Sequence, residues 1–144
     1  MSFHYLARAI ILSEGQILLA HQKGAKYTFL PGGHIEFGER AELALAREIA
    51  EEIGLPAVVQ RFVGAVEGFF VENDRPHHEI NLVFEVNVPG LSSDQSPLSR
   101  EPHLEFLWSP LSDLAANNLL PKPMIAGLLA WEHGAVGFWG SAFD

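Results

Sequence analysis

The chain has 144 residues, enough for one ordinary domain with a sizeable core, and its 48% apolar and 19% charged residues exclude wholesale disorder. It contains no cysteine, which removes disulfides, thiolate metal sites and cysteine nucleophiles together and agrees with a reducing interior. A formal net charge of -9 speaks against long nucleic acid, whose phosphates seek basic surfaces, but leaves room for a small phosphorylated ligand neutralised by metal ions.

Met1 to Tyr5 has no basic region leading into an apolar run, so no secretory signal is expected. No stretch approaches the ~18 unbroken apolar residues of a membrane span, and a soluble cytoplasmic protein is the expectation. His4 to Leu12 and Gln16 to Gln22 read as strands joined by a hairpin turn at Ser13-Glu14-Gly15. Lys26 to Leu30 reads as a short third strand stopped by Pro31-Gly32-Gly33. Glu39 to Ile53 is the clearest helix: it is full of strong formers, lacks Gly and Pro, and has Gly54 at the C-cap position with Pro56 beyond. Ala57 to Val71 reads as one or two strands with a bend at Gly64, and Asn73 to Pro76 as a turn. His78 to Val88 alternates as a strand, Pro89 to Pro102 is a loop, Leu104 to Trp108 a short strand, and Pro123 to His133 a second helix. Gly134 to Asp144 shows no period. This order predicts one domain over residues 1–144, an α/β fold with a mixed sheet flanked by helices.

At ~100° per residue, Glu48, Glu51 and Glu52 stand at i, i+3 and i+4 on one helix face, beside an apolar arc of Leu45, Ile49 and Ile53. Like charges at this spacing repel, so stability alone would not select them. Arg47 on one flank, or a divalent cation, makes the cluster favourable. Oxygen ligands select magnesium, manganese or calcium, and magnesium commonly joins one or two carboxylates to substrate phosphates. Ahead of the helix, Pro31 to Gly38 holds Gly32, Gly33 and Gly38, which permit close approach of backbone to a ligand and end at a helix start that favours negative charge. Together these two features predict a site for metal plus phosphate.

The pattern Gly-x5-Glu-x7-Arg-Glu-U-x-Glu-Glu-x-Gly-U, with U aliphatic, is the Nudix box. Gly33, Glu39, Arg47, Glu48, Ile49, Glu51, Glu52, Gly54 and Leu55 fit it at every defined position. A chance match somewhere in the chain is on the order of 10⁻⁸ or less. The chain therefore resembles the Nudix hydrolase family. The resemblance implies an α/β/α sandwich and hydrolysis of a nucleoside diphosphate linked to another group X. It implies Mg2+ (or Mn2+ in its place) held by Glu48, Glu51, Glu52 and the Gly32 carbonyl, with Glu39 and Arg47 orienting the glutamates. The general base in the family is a box glutamate, here Glu51 or Glu52, or one from a later loop, here Glu101 with Glu105 behind it; the bland reading of Glu101 is a surface charge.

In some branches of the family a proline or tyrosine downstream of the box marks ADP-ribose or dinucleoside polyphosphate hydrolases, whereas this chain has Phe69, Phe70 and Val71 there. The two phenylalanines are read as core before they are read as a base platform, with Tyr27 and His34 near the loop as comparable platform candidates. Adjacent His77 and His78 point to opposite faces of a strand, which speaks against a shared metal. The substrate expectation is a small nucleotide, a nucleoside triphosphate or a modified nucleotide. The alternative is a non-catalytic nucleotide-binding module on the same fold; such modules usually lose box glutamates, and none is lost here. An isoprenyl diphosphate isomerase role is disfavoured by the absence of cysteine. Trp131, Phe138 and Trp139 are candidates for a homodimer interface or for the core.

Overall fold

The computed structural model describes residues 1–143. Eight strands form two sheets: β1 (Ser2–Ile10), β2 (Leu12–Ser13), β3 (Gln16–Gln22), β4 (Gly32–His34), β5 (Val58–Glu72), β6 (Arg75–Asn87), β7 (Leu104–Pro110) and β8 (Phe138–Ser141). The helices are α1 (Ala41–Ile53) and α2 (Pro123–Glu132). One sheet has the order β4-β1-β6-β5-β8, the other β2-β3-β7. In the first, β1 runs parallel to β6 and β5 parallel to β8, while the remaining pairs are antiparallel.

Alternation along the strands divides the core into two layers. Ala7, Ala9, Leu18, Ala20, Phe84 and Val86 pack with Leu45, Ile49 and Ile53 of α1. Their neighbours Ile10, Ile17, Leu19, Val83 and Val66 pack with Met124 and Leu128 of α2. Apolar residues on both faces of the strands thus place the sheets between helices, the α/β/α arrangement that the resemblance implies.

Both expected turns form. Glu14 and Gly15 link β2 to β3, and Asn73 and Asp74 link β5 to β6, each pair with positive φ as a two-residue hairpin turn requires. The bend near Gly64 is present as register shifts between Val59 and Gly64 within a single long strand. Three expectations are corrected. Lys26 to Leu30 is not a strand; it makes only isolated bridges, Ala20 to Phe29 and Thr28 to Leu119. Instead, Gly32 to His34 pairs with β1, so the glycines expected to end a strand form one. The tail without a period contains β8, because Phe138 fits the space left by Gly64 on β5 and Gly127 on α2, where a Cβ would strike its ring.

Of the three candidates for an interface, Phe138 and Trp131 pack against the α2-side core, and the Trp131 indole donates to Glu85 at 2.7 Å. Trp139 is exposed. No described helix is long and apolar enough to cross a membrane.

Because β8 is held through one ring seated on two glycines, Phe138→Ala should lower stability by about 2 kcal/mol. A drop in the urea midpoint checks this; an unchanged midpoint would show that the tail contributes nothing to the sheet.

Candidate active site

The acidic residues gather where α1 crosses the edge of the sheet at β4. The helix begins at Ala41, so Glu39 lies in the turn before it and not, as expected, in its first turn. There its carboxylate accepts from the Glu36 backbone N–H at 3.1 Å and from Arg47 through both oxygens, at 2.8 and 2.9 Å. Such a two-point bond fixes the guanidinium in direction as well as distance. It holds the Glu39 carboxyl down at about 2. The remaining Arg47 N–H groups reach Glu48 at 3.2 Å, Glu51 at 3.3 Å and the His34 carbonyl at 3.1 Å. Arg47 therefore ties together the turn, the helix and β4.

Gly32 and Gly33 meet the C-terminal half of α1, at Glu52 and Glu48, and not its N-terminus, where the sequence placed the end of their loop. The strand pairing of β4 with β1 turns their backbone along the sheet edge. A Cβ at Gly33 would occupy the place of the Glu48 carboxylate. Gly32 has φ +139°, and a Cβ there would strike the Ala7 carbonyl, so the position requires glycine. Its N–H faces Glu52 Oε1 at 3.4 Å.

The three glutamates do not share one environment. Glu51 is exposed, Glu48 is half-buried and Glu52 is buried, only 6% accessible. The reason is helical spacing: Glu48 and Glu52 follow Leu45 at i+3 and i+7, within the stripe that packs on the sheet. Burial pushes the Glu52 carboxyl up to about 8, against the opposing pull of Arg8 and the Gly32 N–H. Burial also raises Glu48, with Arg47 opposing. Among the described residues no three acidic or imidazole side chains already converge as a metal cage; Glu48 and Glu51 are drawn instead to Arg47.

The loop before β7 is tied to the end of α1. The Arg100 N–H donates to the Glu52 carbonyl at 2.8 Å, and its guanidinium lies over Gly54, the left-handed C-cap at φ +80°. Glu101 is half-buried and close enough for its charge to raise Glu52. Glu105 is turned elsewhere, to His21 at 2.8 Å on the neighbouring strand.

One group near the site has no counterpart in the sequence reading. Arg8 stands on β1 with its guanidinium donating to Asn81 at 3.1 Å and to the Leu30 carbonyl at 3.1 Å, and it lies 5.3 Å from the Phe29 ring centre. Burial lowers it, while Glu79, Glu52 and Glu48 favour its charge. An arginine inside the apolar run Leu6 to Ile11 was the available signal, since arginine is rarely buried without a partner.

This arrangement is a carboxylate site clamped by an arginine at a glycine-lined strand. The sequence profile of the NUDIX domain matches residues 3–128, and the chain belongs to the Nudix family. It is accordingly an enzyme of pyrophosphate bonds in small nucleotide-like compounds. It is similar to an ADP-ribose pyrophosphatase of Methanocaldococcus jannaschii, 37% identical over 128 residues, or 87% of this chain and 72% of the relative. Among solved structures, the MutT protein from Methanosarcina mazei Go1 matches with TM-score 0.69 at 24% identity, covering 92% of this chain and 94% of that one. The E. coli ORF135 protein matches with TM-score 0.63 at 26% identity, covering 92% of each chain.

The burial of Glu52 has a measurable consequence for the metal-free protein. A carboxyl whose folded pKa lies above its unfolded value favours folding below the unfolded value, and that contribution is lost as pH rises through about 8. Thermal stability without metal should fall between about pH 5 and about pH 9. Glu52→Gln should flatten the fall and be more stable at the alkaline end by about 2–4 kcal/mol. A variant no more stable than the parent at that end would show that Glu52 carries no burial cost.

Proposed function

We propose that this enzyme hydrolyses the diphosphate bond of a nucleoside diphosphate linked to a group X with Mg2+ held by Glu48, Glu51, Glu52 and the Gly32 carbonyl. The observation that carries this is the burial of Glu48 and Glu52 against Gly32 and Gly33, beside an arginine already committed to Glu39. A buried and a half-buried carboxylate side by side offer oxygen donors that fit a hard cation; Mn2+ fits the same donors. Glu51 is exposed and free to turn from Arg47 toward such an ion.

When bound, the cation supplies positive charge to the diphosphate and acidifies the attacking water. The chain's own residues do the rest. Glu39 holds Arg47, and Arg47 holds the faces of Glu48 and Glu51. The bare Gly33 leaves room for the Glu48 carboxylate against the strand. Glu52, set between the Gly32 N–H and the other glutamates of the cluster, is placed to accept the proton of the water. Glu101 is the second candidate for that role because its loop is bonded to the end of α1 next to Glu52.

The substrate we favour is a nucleoside triphosphate or a modified nucleotide, and the net charge of -9 speaks against long nucleic acid. A second reading, ADP-ribose, is favoured by the Methanocaldococcus jannaschii relative, an ADP-ribose pyrophosphatase.

Release of phosphate or pyrophosphate should be measured with Mg2+ across nucleoside triphosphates, oxidised nucleotides, ADP-ribose, nucleotide sugars and dinucleoside polyphosphates. One class should be turned over, with activity lost on chelation and reduced roughly a hundredfold or more in Glu52→Gln. If Glu101 is the base, Glu101→Gln will show a loss of that size and Glu52→Gln a smaller one. No turnover of any class by a folded protein that binds Mg2+ would favour the non-catalytic binding module.

A further inference from the structure

The face of the larger sheet that packs under α1 continues past the helix, and the strand register lays its side chains out in rows. Ala7, Leu82 and Ala65 form one row across β1, β6 and β5. Tyr5, Ile80 and Glu67 form the next, and Phe3, His78 and Phe69 the third. On β8, Trp139 extends the first row and Ser141 the second. Phe143 extends the third, with its ring 5.3 Å from Phe69 and 4.8 Å from His78, while Phe3 meets His78 at 5.6 Å from the other side. Helix α1 packs with Ala7, which is fully buried, but Tyr5 and Phe3 further along the same strand are exposed.

Phe69 was expected in the core, as was Phe70 on the opposite face of β5, and both are exposed. On the open rows and at their border, Phe3, Tyr5, Phe69, Val71, Trp139 and Phe143 are each between 43% and 66% exposed. At ~200 Å² for a whole aromatic side chain, they leave roughly 600 Å² of apolar surface in water. That is the upper end of what one soluble chain exposes as a single patch. With a polar rim it approaches the ~800 Å² that each partner contributes to a stable complex. Charge is scarce on it as well. The net charge of -9 makes two copies repel one another in general. Among the described residues of these rows Glu67 is the only carboxylate, and it accepts from the Ser141 hydroxyl at 2.7 Å and lies 3.4 Å from His78 Nε2.

We propose that this face is the interface of a homodimer, in which two copies pack sheet on sheet about a twofold axis. Such an axis sets a patch against its own copy, so the patch must be complementary to itself. An array of aromatic rings whose one carboxylate is already bonded meets that condition. Two sheets pack about 10 Å apart, close enough for the rings of one copy to lie between those of the other. The same chemistry argues against other occupants. An anionic bilayer repels a chain of this charge, and a charged peptide finds only Glu67 to pair with among the described residues of these rows. None of these residues belongs to the acidic site, so the dimer is independent of the hydrolase reading.

Sedimentation equilibrium of the whole chain should give twice the 15.9 kDa of one copy, with a Kd that is micromolar or tighter. Phe3→Glu and Trp139→Glu each bury a carboxylate against apolar rings, and each should weaken the dimer at least about a hundredfold. Leu98→Glu, at an exposed apolar residue of the loop before β7, should leave the dimer unchanged. Phe3 and Trp139 are exposed in one copy, so a urea midpoint measured on dilute, monomeric protein should be the same in both variants as in the parent. That comparison separates a lost interface from a lost fold. In the parent, a mixture of labelled and unlabelled chains should show nuclear Overhauser contacts between copies at the rings of Tyr5, Phe69 and Phe143. A monomer at every concentration up to millimolar would overturn the interface. So would a dimer that both glutamate variants leave intact, or one without contacts between copies at those rings. A monomer that co-sediments with phosphatidylcholine vesicles would overturn it in favour of a lipid surface.

Discussion

The close approach of α1 to the edge strand β4 is the constraint on which the site depends. Two residues without side chains make it possible, since a Cβ at Gly33 would displace the Glu48 carboxylate and one at Gly32 would strike β1. The approach leaves Glu48 and Glu52 inside the packed face of the helix. A carboxylate placed there is costly unless a positive charge attends it. Arg47 answers part of that demand from outside, and Arg8 answers part from the sheet. What remains uncompensated is a local preference for added positive charge, which is the physical basis for reading the site as a cation site.

Around this point the fold separates two tasks. The α1 layer supplies acidic groups and the clamp that holds them. The larger sheet extends beyond α1 as a surface of polar and aromatic side chains, from Arg8 and Asn81 out to His77 and Phe70. Asn81 is buried, yet its amide and carbonyl are both engaged, with Arg8, Glu79 and the Val66 carbonyl. Satisfied networks of this kind are rigid. A rigid wall beside a charged site provides fixed geometry for a ligand that spans both, and the α2 layer closes the other half of the sheet with apolar packing.

Much of this was legible in the chain. Helix α1 was visible from its composition and its glycine cap, and both hairpin turns from their short polar sequences. The spacing of Glu48, Glu51 and Glu52 placed them on one face, and the box pattern named Glu39 and Arg47 as partners, as their bidentate bond shows. Other features were hidden because they depend on contacts between distant segments. Strand β4 is only three residues long and glycine-rich, so its strand character comes from pairing with β1 and not from propensity. The same holds for β8, whose place is decided by Phe138 finding Gly64, far away in sequence, together with Gly127 on the preceding helix. Lys26 to Leu30 was the opposite error: its residues favour a strand, but only single bridges form around it.

Sequence alone determined which glutamates share one helix face, because helical periodicity is a local geometric law that acts at fixed spacing. It also determined the class of fold, through the order of apolar runs and breaks. Helical spacing put Glu48 and Glu52 in the stripe of Leu45, but only the tertiary structure decided how deeply each is buried, through the approach of β4 to the helix. It likewise brought Arg8, His4, His34, His77 and Phe70 together from four strands that lie between Ser2 and Asn87. Burial and cross-strand contact arise from packing between segments far apart in the chain, and no local spacing encodes them.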